Sequence, residues 1–103
     1  MSKPLFLPLT ARYYDKFANG EKSREYRRPG GQYNPETCAA GRAVLLSRGY
    51  GTQCRMEGII TDCGHCRVAD LDGEDRRDVQ AVYGPLCREV FWFGIDLGHQ
   101  EKL

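Results

Sequence analysis

The segment from Cys87 to Leu97 carries Val90, Phe91, Trp92, Phe93 and Ile95 in near succession, so an extended chain there is apolar on both faces. Such a strand must be covered on both sides, which puts it inside a sheet or barrel rather than at an edge. A chain of 103 residues has room for one hydrophobic core, and the expected organisation is a single domain, residues 1–103, built around that strand. A hydrophobic share of 41% against a charged share of 28% is that of an ordinary globular domain and excludes a disordered tail or a low-complexity polymer. No apolar run approaches the roughly 20 residues that span a bilayer. The opening Met1 to Thr10 has too short an apolar stretch for a secretory signal, so the expectation is a cytoplasmic protein with no membrane partner.

The rest of the chain supplies partners for that strand. Pro4 to Leu9, with prolines at both 4 and 8, suits an edge strand. Thr10 reads as the N-cap of a short amphipathic helix over Ala11 to Asn19, with Ala11, Tyr14, Phe17 and Ala18 on its apolar side and Gly20 as its stop. Residues 22–27 are too polar for a core strand but suit one whose face turns into a polar cleft, and Glu25 and Arg27 then point the same way. Arg28 to Gly41, rich in glycine and proline, reads as a long loop of the kind that often serves as a lid or binding segment. Ala43 to Arg48 and Cys54 to Thr61 read as antiparallel strands, and Arg67 to Leu71 as a third. Asp75 to Tyr83 suits a second short helix, with Asp75 as N-cap, Val79, Val82 and Tyr83 inward, and Gly84-Pro85 as terminator. Without long helices between strands, the pattern favours an α+β fold, an open β-barrel of about five to six strands with two short helices.

Net charge is only +1, but residues 1–50 carry nine Lys or Arg against four acids, while residues 51–103 carry six against ten. That asymmetry suggests a positive face for an anion unless folding interleaves the halves. The five cysteines, Cys38, Cys54, Cys63, Cys66 and Cys87, are expected to be reduced thiols. Cys63-Gly64-His65-Cys66 lacks the strand-to-helix setting of a redox motif and reads as a turn between two strands. Half a zinc site, with His65 or Cys54 as further ligands, is the competing reading, but the second ligand pair is missing, so neither metal nor cofactor is expected. His65 and His99 have no partner motif and are read as exposed, and Trp92 as core.

The segment from Lys22 to Arg27 carries the chemistry. Lys22 is a compact cation for a phosphate or, desolvated, a general base. Arg27 offers a planar fork for phosphate or a base edge, and Glu25 can accept from an exocyclic amine or ribose hydroxyl, or orient the neighbouring arginines. The competing reading is a row of solvated surface charges, whose removal costs under about 0.5 kcal/mol. Arg48, beside the glycine-flanked Tyr50, and Tyr33 on the long loop are secondary ligand-binding candidates, the aromatic rings as stacking platforms for an unpaired base.

Gly20-Glu21-Lys22-Ser23-Arg24-Glu25-Tyr26-Arg27 resembles the GxKxxExR signature of ASCH domains, and it follows a strand and a short helix as in that family. Pro8 to Phe17 is similar to the family's opening, Ser47-Arg48-Gly49-Tyr50-Gly51 to a motif of small stand-alone members, and Phe93 to Gly98 to their closing strand. The resemblance implies a PUA-like β-barrel with a basic ligand cleft beside the first helix. It also implies binding of single-stranded RNA, a nucleotide or a modified nucleoside. The alternative it implies is a small hydrolase acting on RNA as a ribonuclease or on a modified nucleoside as an amidohydrolase, with Lys22 and Glu25 as working residues. One branch removes an acyl group from a modified cytidine with a Lys, a Thr three residues later and a distant Glu; here Glu25 stands where that Thr would be.

Overall fold

A computed structural model describes residues 3–98. Five strands, β1 (Leu5–Leu9), β2 (Arg24–Arg27), β3 (Ala43–Arg48), β4 (Arg55–Arg67) and β5 (Glu89–Asp96), form one sheet in the order β1-β3-β4-β5-β2. Two short helices, α1 (Ala11–Ala18) and α2 (Gly73–Tyr83), flank it. The β1–β3 pair is parallel and the other three pairs are antiparallel. The sheet is an α+β half-barrel of the PUA-like type, with β1 and β2 as its two free edges. Among the described residues no helix is long and apolar enough to cross a membrane.

The doubly apolar β5 lies between β4 and β2, and its alternation divides the interior in two. Phe91, Phe93 and Ile95 point into the main core with Leu7, Leu46, Ile60, Tyr14 and Phe17. Val90 and Trp92 point the other way, into a smaller cluster with Tyr26, Val68 and Val79. Trp92 is only partly buried there, with the Arg24 guanidinium 4.0 Å over its ring, so it is a cover for the second cluster rather than a core residue. Its ring lies across Gly64 on β4, where a Cβ would stand 3.0 Å from the indole.

That packing explains the principal misreading of the sequence. Residues 63–66 are no turn: β4 runs unbroken in direction from Arg55 to Arg67, with a register shift between Ile60 and Asp62 that leaves Thr61 as the extra residue of a bulge. Gly64 is present because Trp92 needs the space, and Gly94 because a side chain there would strike Thr61 and Asp62 at 2.6 Å. Cys63 packs on the main core and Cys66 on the second cluster, so the CxxC thiols sit on opposite faces of one strand and cannot share a metal or close a disulfide. His65 is exposed, with its ring 5.2 Å from Phe91, and His99 lies outside the described residues. The expected third strand at residues 67–71 is instead a 3-10 turn, Val68–Asp70, that drops Val68 into the second cluster.

Local signals hold elsewhere. Thr10 caps α1 by accepting from the Tyr13 amide. In α2 the cap is Asp72, which accepts from the Asp75 amide, so the helix starts a turn earlier than expected and Asp75 falls inside it. The loop after β2 is packed, not a free lid. Asn34 accepts from the Glu36 and Thr37 amides, Arg42 donates to the Thr37 carbonyl, and Tyr33 donates its hydroxyl to the Phe6 carbonyl. Buried Cys38 completes that anchor.

Candidate functional site

The seam between the two free edges is where the barrel fails to close, and a cleft of about 180 Å³ occupies it. Pro8 and Leu9 of β1 form one wall, Thr10 and Tyr13 the entry of α1, Glu25, Tyr26 and Arg27 of β2 the floor, and Asp78, Val79, Val82 and Tyr83 of α2 the far side. Lys22 enters just ahead of β2. An open sheet whose edge strands bend toward each other leaves backbone and side chains convergent at such a gap, a place where ligand sites form.

Glu25 organises the cleft. Its carboxylate is nearly enclosed, with one oxygen 2.7 Å from Nη2 and 3.0 Å from Nε of Arg27 and the other 3.7 Å from Nζ of Lys22. Lys22 is no surface residue: its side chain is 8% exposed and its ammonium faces the rings of Tyr13 and Tyr26 at 5.2 Å and Phe17 at 5.8 Å. Three aromatic faces and a carboxylate hold the desolvated charge. Arg27 lies with its guanidinium 4.6 Å over Tyr33. Burial works against the Arg27 charge, yet Glu25, Tyr33 and Tyr83 together raise its pKa, so it stays a cation.

The cleft phenols stay neutral. Burial raises the pKa of Tyr13, with Asp78 adding to it; burial and then the hydrogen bond to Asp75 raise that of Tyr26; burial raises that of Tyr83. The far carboxylate, Asp78, is shared with Lys16 and Arg12 of α1, each at 3.5 Å, and Lys16 also pairs with Glu74. The basic first half and the acidic second half of the sequence thus interlock across the two helices. With two cations and two carboxylates lining it, the cleft is balanced in charge rather than basic.

Of the residues singled out by sequence, Lys22, Glu25 and Arg27 converge on this cleft. Tyr33 does not line it. Its ring is sandwiched between Phe93, stacked at 5.9 Å, and Arg27, so neither face is open to a base, and it acts as the bed on which Arg27 lies. Arg48 pairs with Asp15 on the surface, and Tyr50, 82% exposed, leans toward Phe6; both stand outside the cleft. The sequence reading missed Tyr13, Tyr83 and Asp78 as cleft residues. Helical spacing marks Tyr83 alone of these as inward, and only the fold shows that Tyr13 and Asp78 face the seam with it. Ser23 faces a different hollow, while Thr10 lines the cleft with its hydroxyl engaged by the Tyr13 amide. Among the described residues no cluster of His, Cys, Asp and Glu is arranged to hold a metal.

No family model matches the amino-acid sequence, and no curated protein matches it. The fold, in contrast, is shared with two crystal structures of mutants of ZmASCH from Zymomonas mobilis. One covers 93% of this chain and 71% of its own with a TM-score of 0.64 at 14% identity; the other covers 92% and 68% with a TM-score of 0.60 at 15% identity. The likeness is one of fold, and it agrees with the α+β PUA-like barrel that the order of motifs implied.

Proposed function

We propose that this chain is an RNA- or nucleotide-binding domain of the ASCH type whose seam cleft receives a single base. The observation that carries the reading is the enclosed Glu25, gripped on one oxygen by Arg27 and faced on the other by Lys22, under walls of Tyr13, Tyr83 and Val82. A charge-balanced, aromatic-walled cleft suits a flat, polar-edged ring. Glu25 retains lone pairs for an exocyclic amine, Arg27 and Lys22 provide donors for a ring carbonyl or a phosphate at the rim, and the phenols offer hydrogen bonds without charge. Fixed this tightly, the carboxylate pays little further ordering cost on binding.

The test is calorimetric titration of free nucleosides and their monophosphates into the wild-type chain and Glu25→Gln, a change that keeps shape and removes one charge. Binding in the wild type, weakened ten-fold or more in the variant, is expected. Equal affinity in both, or no binding of any of them, would sink the reading.

A second reading, hydrolysis of RNA or of a modified nucleoside, is favoured by one distance. Lys22 and Glu25 stand 3.7 Å apart in the cleft, close enough to exchange a proton through a bound substrate or one water. Chromatography of an acylated cytidine and of single-stranded RNA after incubation with wild type and Lys22→Met decides it: product with the wild type alone makes the chain an enzyme, and unchanged substrate in both leaves binding as the activity.

A further inference from the structure

Alongside α2, on the face next to the one that lines the cleft, runs an open groove of about 470 Å³ that contains three arginines, Arg67, Arg76 and Arg88. We propose that this groove holds the phosphate backbone of a single-stranded nucleic acid whose neighbouring unit enters the cleft. The proposal rests on the cleft being a base site, and it adds a second, separately testable surface.

The fold leaves some of its positive charge without acidic partners. Arg12, Lys16, Lys22, Arg27 and Arg48 each have a carboxylate partner. In the groove only Arg67 has one, Asp70, through a solvent-exposed contact at 3.2 Å. Arg76 and Arg88 are exposed and have no carboxylate partner among the described residues. Two further acids lie close by: Glu89 opposite Arg67 across β4 and β5, and Asp72 one helical turn before Arg76, its carboxylate engaged in capping the Asp75 amide. Like charges gathered in one groove repel, and an anion relieves that repulsion.

Position supplies the second step. Tyr83 ends α2 as a cleft wall, and the chain then passes through Pro85, Cys87 and Arg88, which line the groove. Arg28 sits at this junction: it donates to the Tyr83 carbonyl at 3.0 Å and lies 5.3 Å over the Tyr83 ring. Arg28 thus adds a cation where the chain leaves the cleft wall for the groove. Leu86, 87% exposed on the same crossing, offers an apolar surface to the face of a base.

Chemistry selects the partner. Arginine presents a planar fork that matches phosphate oxygens, and several forks along an open groove suit successive phosphates rather than one enclosed anion. Val68, Ala69 and Pro85 add an apolar part to the lining.

The test is fluorescence anisotropy of a labelled, mixed-sequence, short single-stranded RNA over a salt series, with wild type and the triple variant Arg67→Gln, Arg76→Gln, Arg88→Gln, whose fold is checked by circular dichroism. Loss of three phosphate contacts should flatten the slope of log affinity against log salt by about 2. Free-nucleoside titration of the same variant should be unchanged. Asp70→Asn, which releases Arg67, should tighten RNA binding and steepen the slope. Wild-type RNA binding with an unaltered slope in the triple variant, or no RNA binding at all, overturns the groove. So does competition by low inorganic phosphate, which would make the groove a free-anion site. Failure of nucleosides to bind the wild type, with RNA binding still lost in the triple variant, removes the base site and leaves the groove standing.

Discussion

The seam cleft and the arginine groove lie along neighbouring faces of α2 and use the same kinds of residue under opposite electrostatic conditions. In the cleft, Lys22 and Arg27 are drawn out of water and held by Glu25 and by aromatic faces. In the groove, Arg76 and Arg88 remain in water without carboxylate partners among the described residues. A buried charge needs its partner, since removing one member leaves the other uncompensated, whereas an exposed charge is already solvated and its loss is nearly neutral to folding. Cleft residues are thus tied to stability as well as to the proposed binding, and groove residues to the proposed binding alone.

The widest separation between the two regions should come from Glu25→Ala, which strands both Lys22 and Arg27 and should cost about 3 kcal/mol in chemical denaturation. A loss below about 1 kcal/mol would mean that water reaches the pair and that the contrast is false. Lys22→Met keeps the aliphatic stem in its aromatic surround but removes the charge, and a loss of about 1 to 2 kcal/mol is expected. The surface reading of Lys22 would have given almost none, so a neutral result would restore it.

Alkaline pH sharpens the comparison from another side. The folded-state pKa values of Tyr13, Tyr26 and Tyr83 lie above the ordinary 10.0, so the folded chain holds these protons more tightly than the unfolded one. Their contribution to stability is whole below pH 10.0 and is lost as the pH rises from there through the folded values. Each phenol contributes a slope of at most about 1.4 kcal/mol per pH unit. Denaturation midpoints at about pH 8.5 and about pH 11 should show the decline, and Tyr26→Phe should flatten it. A decline equal in Tyr26→Phe would place its source in groups other than Tyr26. The smallest effect belongs to the groove: Arg76→Gln should shift stability by less than about 0.5 kcal/mol. A larger loss would show that Arg76 is part of the fold and not a free cation.

The legible parts of the sequence were those in which a residue's neighbours along the chain fix its role. The N-cap at Thr10, strand β3 at Ala43–Arg48 and the doubly covered β5 follow from capping chemistry and apolar period. So does the common direction of Glu25 and Arg27 on β2, because alternate residues of a strand share a face. The illegible parts depended on distant partners. Gly64 looks like a turn glycine until the Trp92 ring is placed across it, and the proline- and glycine-rich loop looks like a lid until Tyr33 is seen pinned beneath Arg27.

By itself, then, the amino-acid order determined an α+β open barrel around β5 and the common direction of Glu25 and Arg27, since strand period and caps are local properties. Only the tertiary structure decided which charges are spent within the protein and which are left for a partner. Lys16 meets Glu74 and Arg12 meets Asp78 across more than half of the chain, while Arg76 and Arg88 meet no acid among the described residues. Local pattern records the sign of each side chain, but the dielectric around it and the partner opposite it exist only once the two helices close over the seam.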